Sequence, residues 1–169
     1  QDNGTLYYLA DSLHSWSMPV DYDGAYCHFL DYSPYFLAAK QQAGLFKVAV
    51  DGSGNRIGFA RIDPIAPSNY LFINPYTIDP NDNRILFLPN GNVLWRNSDI
   101  SVFELDNQFV KQTENWEQLN ILGVSGIISA VQVSREPANI LYFGTSGGAV
   151  VRVDSSNANY TYKNVTIPN

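Results

Sequence analysis

Cysteine is almost missing from this chain. Cys27 is the single thiol among 169 residues, so no internal disulfide can staple the fold. Alternating residues around it predict a buried strand position for Cys27 rather than a nucleophile. Charge is scarce too, at 15% of residues against about a quarter in ordinary globular chains. The ten Lys and Arg are scattered and the net charge is −6, which argues against a general nucleic-acid role. The two histidines, His14 and His28, match no zinc-ligand spacing. No apolar run approaches the roughly 20 residues that would cross a bilayer as a helix. The stretch "GTSGG" at residues 144–148 has the Gly-x-Ser-x-Gly spelling but reads as a turn between strands, and it lacks the lysine of a phosphate loop. The chain starts on Gln1 rather than Met, without a signal peptide, and reads as a piece of a longer product.

What is abundant is equally informative. Hydrophobic residues make up 45% and aromatics 14%, alongside much Asn, Ser and Gly. Aromatic and β-branched side chains suit pleated surfaces, whereas Asn, Gly and Asp suit tight turns. The mixture predicts many short strands joined by polar turns.

Those strands follow a rhythm. "ILFL" at Ile85–Leu88 lies over "ILYF" at Ile140–Phe143, 55 residues on, and Ile78 then falls on Val133. "VLWR" at Val93–Arg96 falls on "AVVR" at Ala149–Arg152, and "GLFK" at Gly44–Lys47 fits the same template. Lys47, Arg96 and Arg152 therefore close equivalent strands, at spacings of 49 and 56. The turns between are "KQQAG", "PNGN" and "TSGG", with "QDNG" opening a headless copy. Further strands are predicted at 25–32, 74–79 and 129–134 before these hairpins, and at 57–62, 116–121 and 160–167 after them. The segment 99–115 fits least well, as an inserted loop or a helical turn.

Four strands in about 50 residues, repeated, is the pattern of a β-propeller blade. The expected fold is all-β, built of four-stranded antiparallel sheets; a solenoid of parallel strands is the rival. The chain reads as part of one propeller domain, 1–169: a half blade at 1–20, then blades at 25–70, 71–122 and 126–167. A closed ring needs about four to eight blades, so the ring is incomplete. Its remaining blades are expected in a parent chain or in a partner subunit.

The "ISAVQVS…ILYFGTSGGAVVRVD" pattern resembles the BNR/Asp-box propellers, the superfamily of sialidases, sortilin-like domains and xyloglucanases. "QDNGT" followed by "DYDGAY" resembles paired turns of secreted bacterial members. The resemblance implies a secreted or cell-surface location. It also implies structural Asp boxes, Ser-x-Asp-x-Gly-x-x-Trp, in which Asp bonds a turn and Trp packs between blades. Asp11 and Trp16 keep that spacing in "LADSLHSW", although Leu9 and Leu13 stand where Ser and Gly belong; Asp99 survives alone in "RNSDISVF". Asp51 and Asp154 occupy the same turn one residue out of register.

In a propeller, second-to-third-strand turns and blade connections emerge on one face. That places Gln1, Asp2 and Asn3 beside Tyr22, Asp23 and Tyr26, with Lys40, Gln41 and Gln42 one blade further round. Carboxylates, amides and rings in such a set suit sugar hydroxyls, while Asx residues in turns also commonly bond their own backbone. No metal or cofactor is expected, although a calcium ion would accept the same oxygens. The leading expectation is a non-catalytic, glycan-binding or scaffold segment. The alternative, implied by the resemblance to xyloglucanases, is a glycoside hydrolase fragment with Asp23 as one of two catalytic carboxylates. No arginine triad of the sialidase kind is visible.

Overall fold

The computed structural model describes residues 3–8, 16–32 and 34–166. Among them there is no α-helix, only two 3-10 turns at Gln41–Ala43 and Ile100–Val102. A hairpin of β1 (Thr5–Tyr7) and β2 (Ser17–Val20) comes first. Next is a sheet of β3 (Gly24–Phe29), β4 (Tyr35–Lys40), β5 (Gly44–Val50) and β6 (Arg56–Arg61). A second sheet holds β7 (Thr77–Asp79), β8 (Asp82–Asn90), β9 (Val93–Asn97) and β10 (Trp116–Leu119). A third holds β11 (Ile128–Val133), β12 (Ile140–Thr145), β13 (Val150–Asp154) and β14 (Thr161–Asn164).

Each four-stranded sheet is an antiparallel meander in which sequence neighbours are spatial neighbours. These are blade-type sheets, and three of them with one hairpin are fewer than the about four to eight blades of a closed ring. A parallel solenoid is excluded, because the one parallel bridge among the described residues, Pro64 to Gln112, lies outside the strands. No helix among these residues is long and apolar enough to cross a membrane.

The chain divides into two compact units. Gln1–Ala66, Phe72–Asn74 and Ser101–Thr113 form the first; Pro67–Leu71, Pro75–Ile100 and Glu114–Asn169 form the second.

In the first unit, the hairpin lays Tyr7 and Val20 on a core of Phe36, Ala38, Phe46, Val48 and Phe59. Tyr7 stacks on Phe36 with ring centroids 5.6 Å apart. The segment 101–113, which joins β9 to β10 in sequence, runs along the edge of β6. The Asn107 amide donates to the Phe59 carbonyl at 2.9 Å, and the Phe59 amide donates to Asn107 Oδ1 at 3.1 Å. Gln112 and Asp63 continue the contact at 3.0 Å, and the Phe109 ring lies 4.9 Å from that of Phe59. The segment thus combines the two predicted alternatives, a 3-10 turn leading into an irregular loop. It satisfies backbone groups that an edge strand would otherwise expose.

In the second unit, Ile85, Phe87, Leu94 and Leu119 of one sheet pack against Leu141, Phe143, Val151 and Val153 of the next. Phe87 is fully buried, so truncating it to Ala costs about 3–5 kcal/mol. The turn after β8 is a two-residue hairpin, Gly91-Asn92, closed by Asn90 and Val93. Gly91 sits at φ +64°, where a Cβ would be strained. Lys47, Arg96 and Arg152 lie inside their strands rather than closing them, paired with Leu37, Phe87 and Tyr142. Each follows by three residues the position (Gly44, Val93, Ala149) that closes the preceding turn.

Candidate functional site

The best-supported site lies in the first unit, where the segment before β3 meets the turn between β4 and β5. Gly24 pairs with Lys40 across the two strands. The Asp23 amide donates to Gln41 Oε1 at 3.2 Å, and the Gln41 amide returns a bond to the Asp23 carbonyl at 3.1 Å. The Gln42 amide donates to the Phe72 carbonyl at 2.8 Å, and the Gly4 amide to the Tyr22 carbonyl at 2.8 Å. Gly24 is required here: a Cβ would stand 2.3 Å from the Gly4 carbonyl oxygen.

The backbone is held in uncommon conformations. Tyr22 has φ 77°, and Gln42 and Ala43 both have φ 55°. Elsewhere, the non-glycine residues with positive φ are Asn107, Asn115, Asn139 and Ser155. Asn bonds locally and tolerates that region, whereas Tyr, Gln and Ala do not favour it. The glycine of "KQQAG" does not supply the positive φ, since Gly44 sits at −62°.

The Lys40 ammonium lies 3.7 Å from the centroid of the Tyr22 ring, a close cation–π contact. Burial pushes the Lys40 pKa down, helped by the Arg61 cation, while Asp21 and Asp63 act against the shift. Beneath this surface, Arg61 grips the fully buried Asp63 through two bonds of 2.7 and 3.0 Å, with Lys111 3.8 Å from the same carboxylate. Tyr22, Tyr26 and Gln42 are exposed, Asp23 and Gln41 are half-buried, and Asn3 is exposed on its turn. The structure therefore joins Tyr22, Asp23, Lys40, Gln41 and Gln42; Gln1 and Asp2 lie outside the described residues.

Other expected positions fall differently. Asp11 is outside the described residues, and Trp16 is 63% exposed, leaning on Tyr8 at 5.1 Å rather than packing between sheets. At Asp99, the main-chain amide donates to Asn97 Oδ1 at 2.9 Å and the carbonyl accepts from Asn115 Nδ2 at 3.1 Å. Asp51 has the turn-bonding carboxylate: Oδ1 accepts from the Ser53 and Asn55 amides at 2.8 and 2.9 Å. Hydrogen bonds from Asn55, backbone first, hold the Asp51 carboxyl below its usual pKa. Cys27 is exposed, not buried, because β3 is an edge strand with little packed on it.

Sequence reasoning missed a cleft of about 320 Å³ lined by Tyr7, Phe29, Leu30, Tyr35, Val50 and Asp51. Its aromatic lining belongs to residues read as strand core, and both oxygens of Asp51 are already engaged by their own turn. No three His, Cys, Asp or Glu among the described residues cluster as a metal ion would need. Compared with protein-family models, with curated proteins and with solved structures, the chain matches none of them.

Proposed function

We propose that this chain is a non-catalytic binding and scaffold segment of a β-propeller of the BNR/Asp-box kind, on a secreted or cell-surface protein of bacterial type. Its ligand class is glycan, held at the Tyr22–Asp23–Lys40–Gln41–Gln42 cluster. One observation carries the reading: the residues least suited to a left-handed backbone, Tyr22, Gln42 and Ala43, all sit in the two turns of that cluster. Backbone strain of about 1–3 kcal/mol each persists only where surrounding contacts enforce it, and such strain gathers at functional sites. It presents an exposed ring beside a cation, a carboxylate and two amides. Sugars are recognised by such sets, with planar polar groups for hydroxyls and a ring for the apolar face.

Glycan-array screening followed by calorimetry tests this. Tyr22→Ala and Gln42→Ala should each weaken glycan binding at least tenfold without unfolding the chain. Binding unchanged by both substitutions removes the site. Turnover of a polysaccharide panel that disappears in Asp23→Ala would instead establish a glycoside hydrolase.

A further inference from the structure

A buried carboxylate in the second unit has one oxygen that no donor answers. Asp79 ends β7, and none of its surface is exposed. Its Oδ1 accepts from the Asn81 amide at 2.8 Å and from Asn81 Nδ2 at 3.1 Å, which closes the Pro80–Asn81 turn into β8. Its Oδ2 is buried and has no hydrogen-bond partner among the described residues. Buried polar atoms in folded proteins are met by a protein group, an ordered water or an ion, charged oxygens above all. The two arginines of this sheet are engaged elsewhere. Arg84 holds Asp82 through Nε and Nη2, both at 2.8 Å. Arg96 bonds Glu117 and clamps two main-chain carbonyls in the turn after β13, with Nη1 donating to Ser156 and, at 2.8 Å, to Ala158.

The groups around Asp79 bring further oxygens. "DPNDN" at residues 79–83 puts Asp79, Asn81 and Asn83 on alternate positions, the spacing at which calcium loops deliver their first three side-chain ligands. Asp79 pairs with Asp82 across the hairpin, which brings Asn83, only 8% exposed, back to the same end of the sheet. Asn81 Nδ2 also donates to the Ser134 carbonyl at 3.3 Å, so the end of β11 is tethered to this turn. The stretch is not a complete EF-hand loop, having Arg84 where the sixth position is Gly and Asn90 where the twelfth is Glu. Such spacing occurs in ordinary turns; the unanswered Oδ2 distinguishes this one. With Asp82 paired to Arg84, a single carboxylate charge remains. A water would give that oxygen a hydrogen bond and leave its charge buried, whereas a cation answers both.

We propose that the β7–β8 turn is a calcium site, with Asp79 Oδ2 as its charged ligand and the Asn83 amide oxygen and Ser134 carbonyl as neutral ones. Water completes the shell, since calcium takes about six to eight oxygens. One carboxylate among neutral oxygens makes a weak site, with a dissociation constant of about 0.1–1 mM, the range of extracellular modules. Magnesium is disfavoured, because it keeps its waters and demands a near-octahedral cage. The ion ties β7–β8 to β11 where Asn81 already bridges them, so calcium stabilises the second unit. The cluster around Tyr22 belongs to the first unit, and the glycan reading does not depend on this ion.

Calorimetric titration of calcium into the chelator-treated chain, in about 150 mM NaCl, tests the site directly. Wild type should bind one calcium per chain, and its urea midpoint should rise with calcium but not with sodium at equal ionic strength. Asp79→Asn keeps the shape and an acceptor for Asn81 while removing the charge, so calcium affinity should fall about tenfold or more and the midpoint should stop responding. Asn83→Ala removes a neutral ligand and should weaken binding in the same direction, which keeps the test open if Asp79→Asn fails to fold by circular dichroism. Asp82→Asn breaks only the partly exposed pair with Arg84 and should bind calcium as wild type does. A wild type that takes up no calcium, or a midpoint that rises equally with sodium, overturns the proposal. So does wild-type affinity in both Asp79→Asn and Asn83→Ala, which marks an adventitious ion only, or a loss in Asp82→Asn as large as in Asp79→Asn.

Discussion

Replacing Arg96 and Arg152 separately by Met provides a matched pair of perturbations at one register position. At Arg96 the guanidinium donates to the carbonyl of Ser156, a residue with no exposed surface. Removing it leaves that acceptor without its charged donor, at a cost of about 1–3 kcal/mol. Ala158 is exposed, so its carbonyl is rehydrated cheaply. The ion pair with Glu117, whose side chain is 50% exposed, adds about 0–1 kcal/mol. Met keeps most of the apolar stem, so little cavity forms. The sum is about 1–4 kcal/mol for Arg96→Met. At Arg152 the partner Asp154 is 33% exposed, and the surface pair contributes about 1 kcal/mol or less. With a urea slope of about 2 kcal/mol per molar, the midpoint should fall by about 0.5–2 M for Arg96→Met and by about 0.5 M or less for Arg152→Met. The assay is urea unfolding at about 1 µM. Followed in a Trp16→Phe background, it leaves Trp95 and Trp116 as reporters, both in the second unit. Equal shifts for the two variants, or the reverse order, would show that the carbonyl clamp is not what separates them.

Gly24→Ala drives a methyl against the Gly4 carbonyl and should destabilise the first unit by about 1–3 kcal/mol, with lost protection of the Gly4 amide in hydrogen exchange. Full protection in the variant would contradict the close approach. Arg61→Met strips the buried Asp63 of both short bonds and leaves the Leu45 amide at 3.3 Å and Lys111 at 3.8 Å, so a loss of about 3 kcal/mol in unfolding free energy by urea titration is expected; no loss would refute it. Asp51 has a folded pKa below its unfolded value of 3.8, so its stabilisation is present above that pH and fades as pH falls through the folded value. Asp51→Ala should therefore lower thermal stability near pH 7 and converge with wild type near pH 2; a gap that widens on acidification would be inconsistent with the hydrogen-bonded turn.

Much of the strand layout was legible because it depends on local chemistry. Alternating apolar residues placed β4, β5, β8, β9, β12 and β13, and Asn-Gly or Gly-Gly marked the turns after β8 and β12. The turn at "KQQAG" was placed correctly but for an incomplete reason. Its positive φ values fall on Gln42 and Ala43, which only surrounding contacts can impose. Residues 103–113 carry no periodicity, because main-chain bonds to β6 hold them and side-chain pattern is blind to such bonds. Cys27 was misplaced because alternation assumes a covered strand, and burial depends on neighbours that a local window does not contain. The equivalent strand positions of Lys47, Arg96 and Arg152 were legible in the sequence. That the Lys47 and Arg96 charges reach main-chain carbonyls, while Arg152 bonds Asp154, required coordinates.

The loop that lies along β6 also sets an order of events during synthesis. Phe59 must wait 48 residues for the Asn107 side chain that accepts its amide proton. At about 5–20 residues per second, ribosomal elongation leaves that strand margin naked for roughly 2–10 s. A nascent polypeptide arrested between those two points would offer an unpaired ribbon to chaperones, to proteases or to its neighbours on the same messenger.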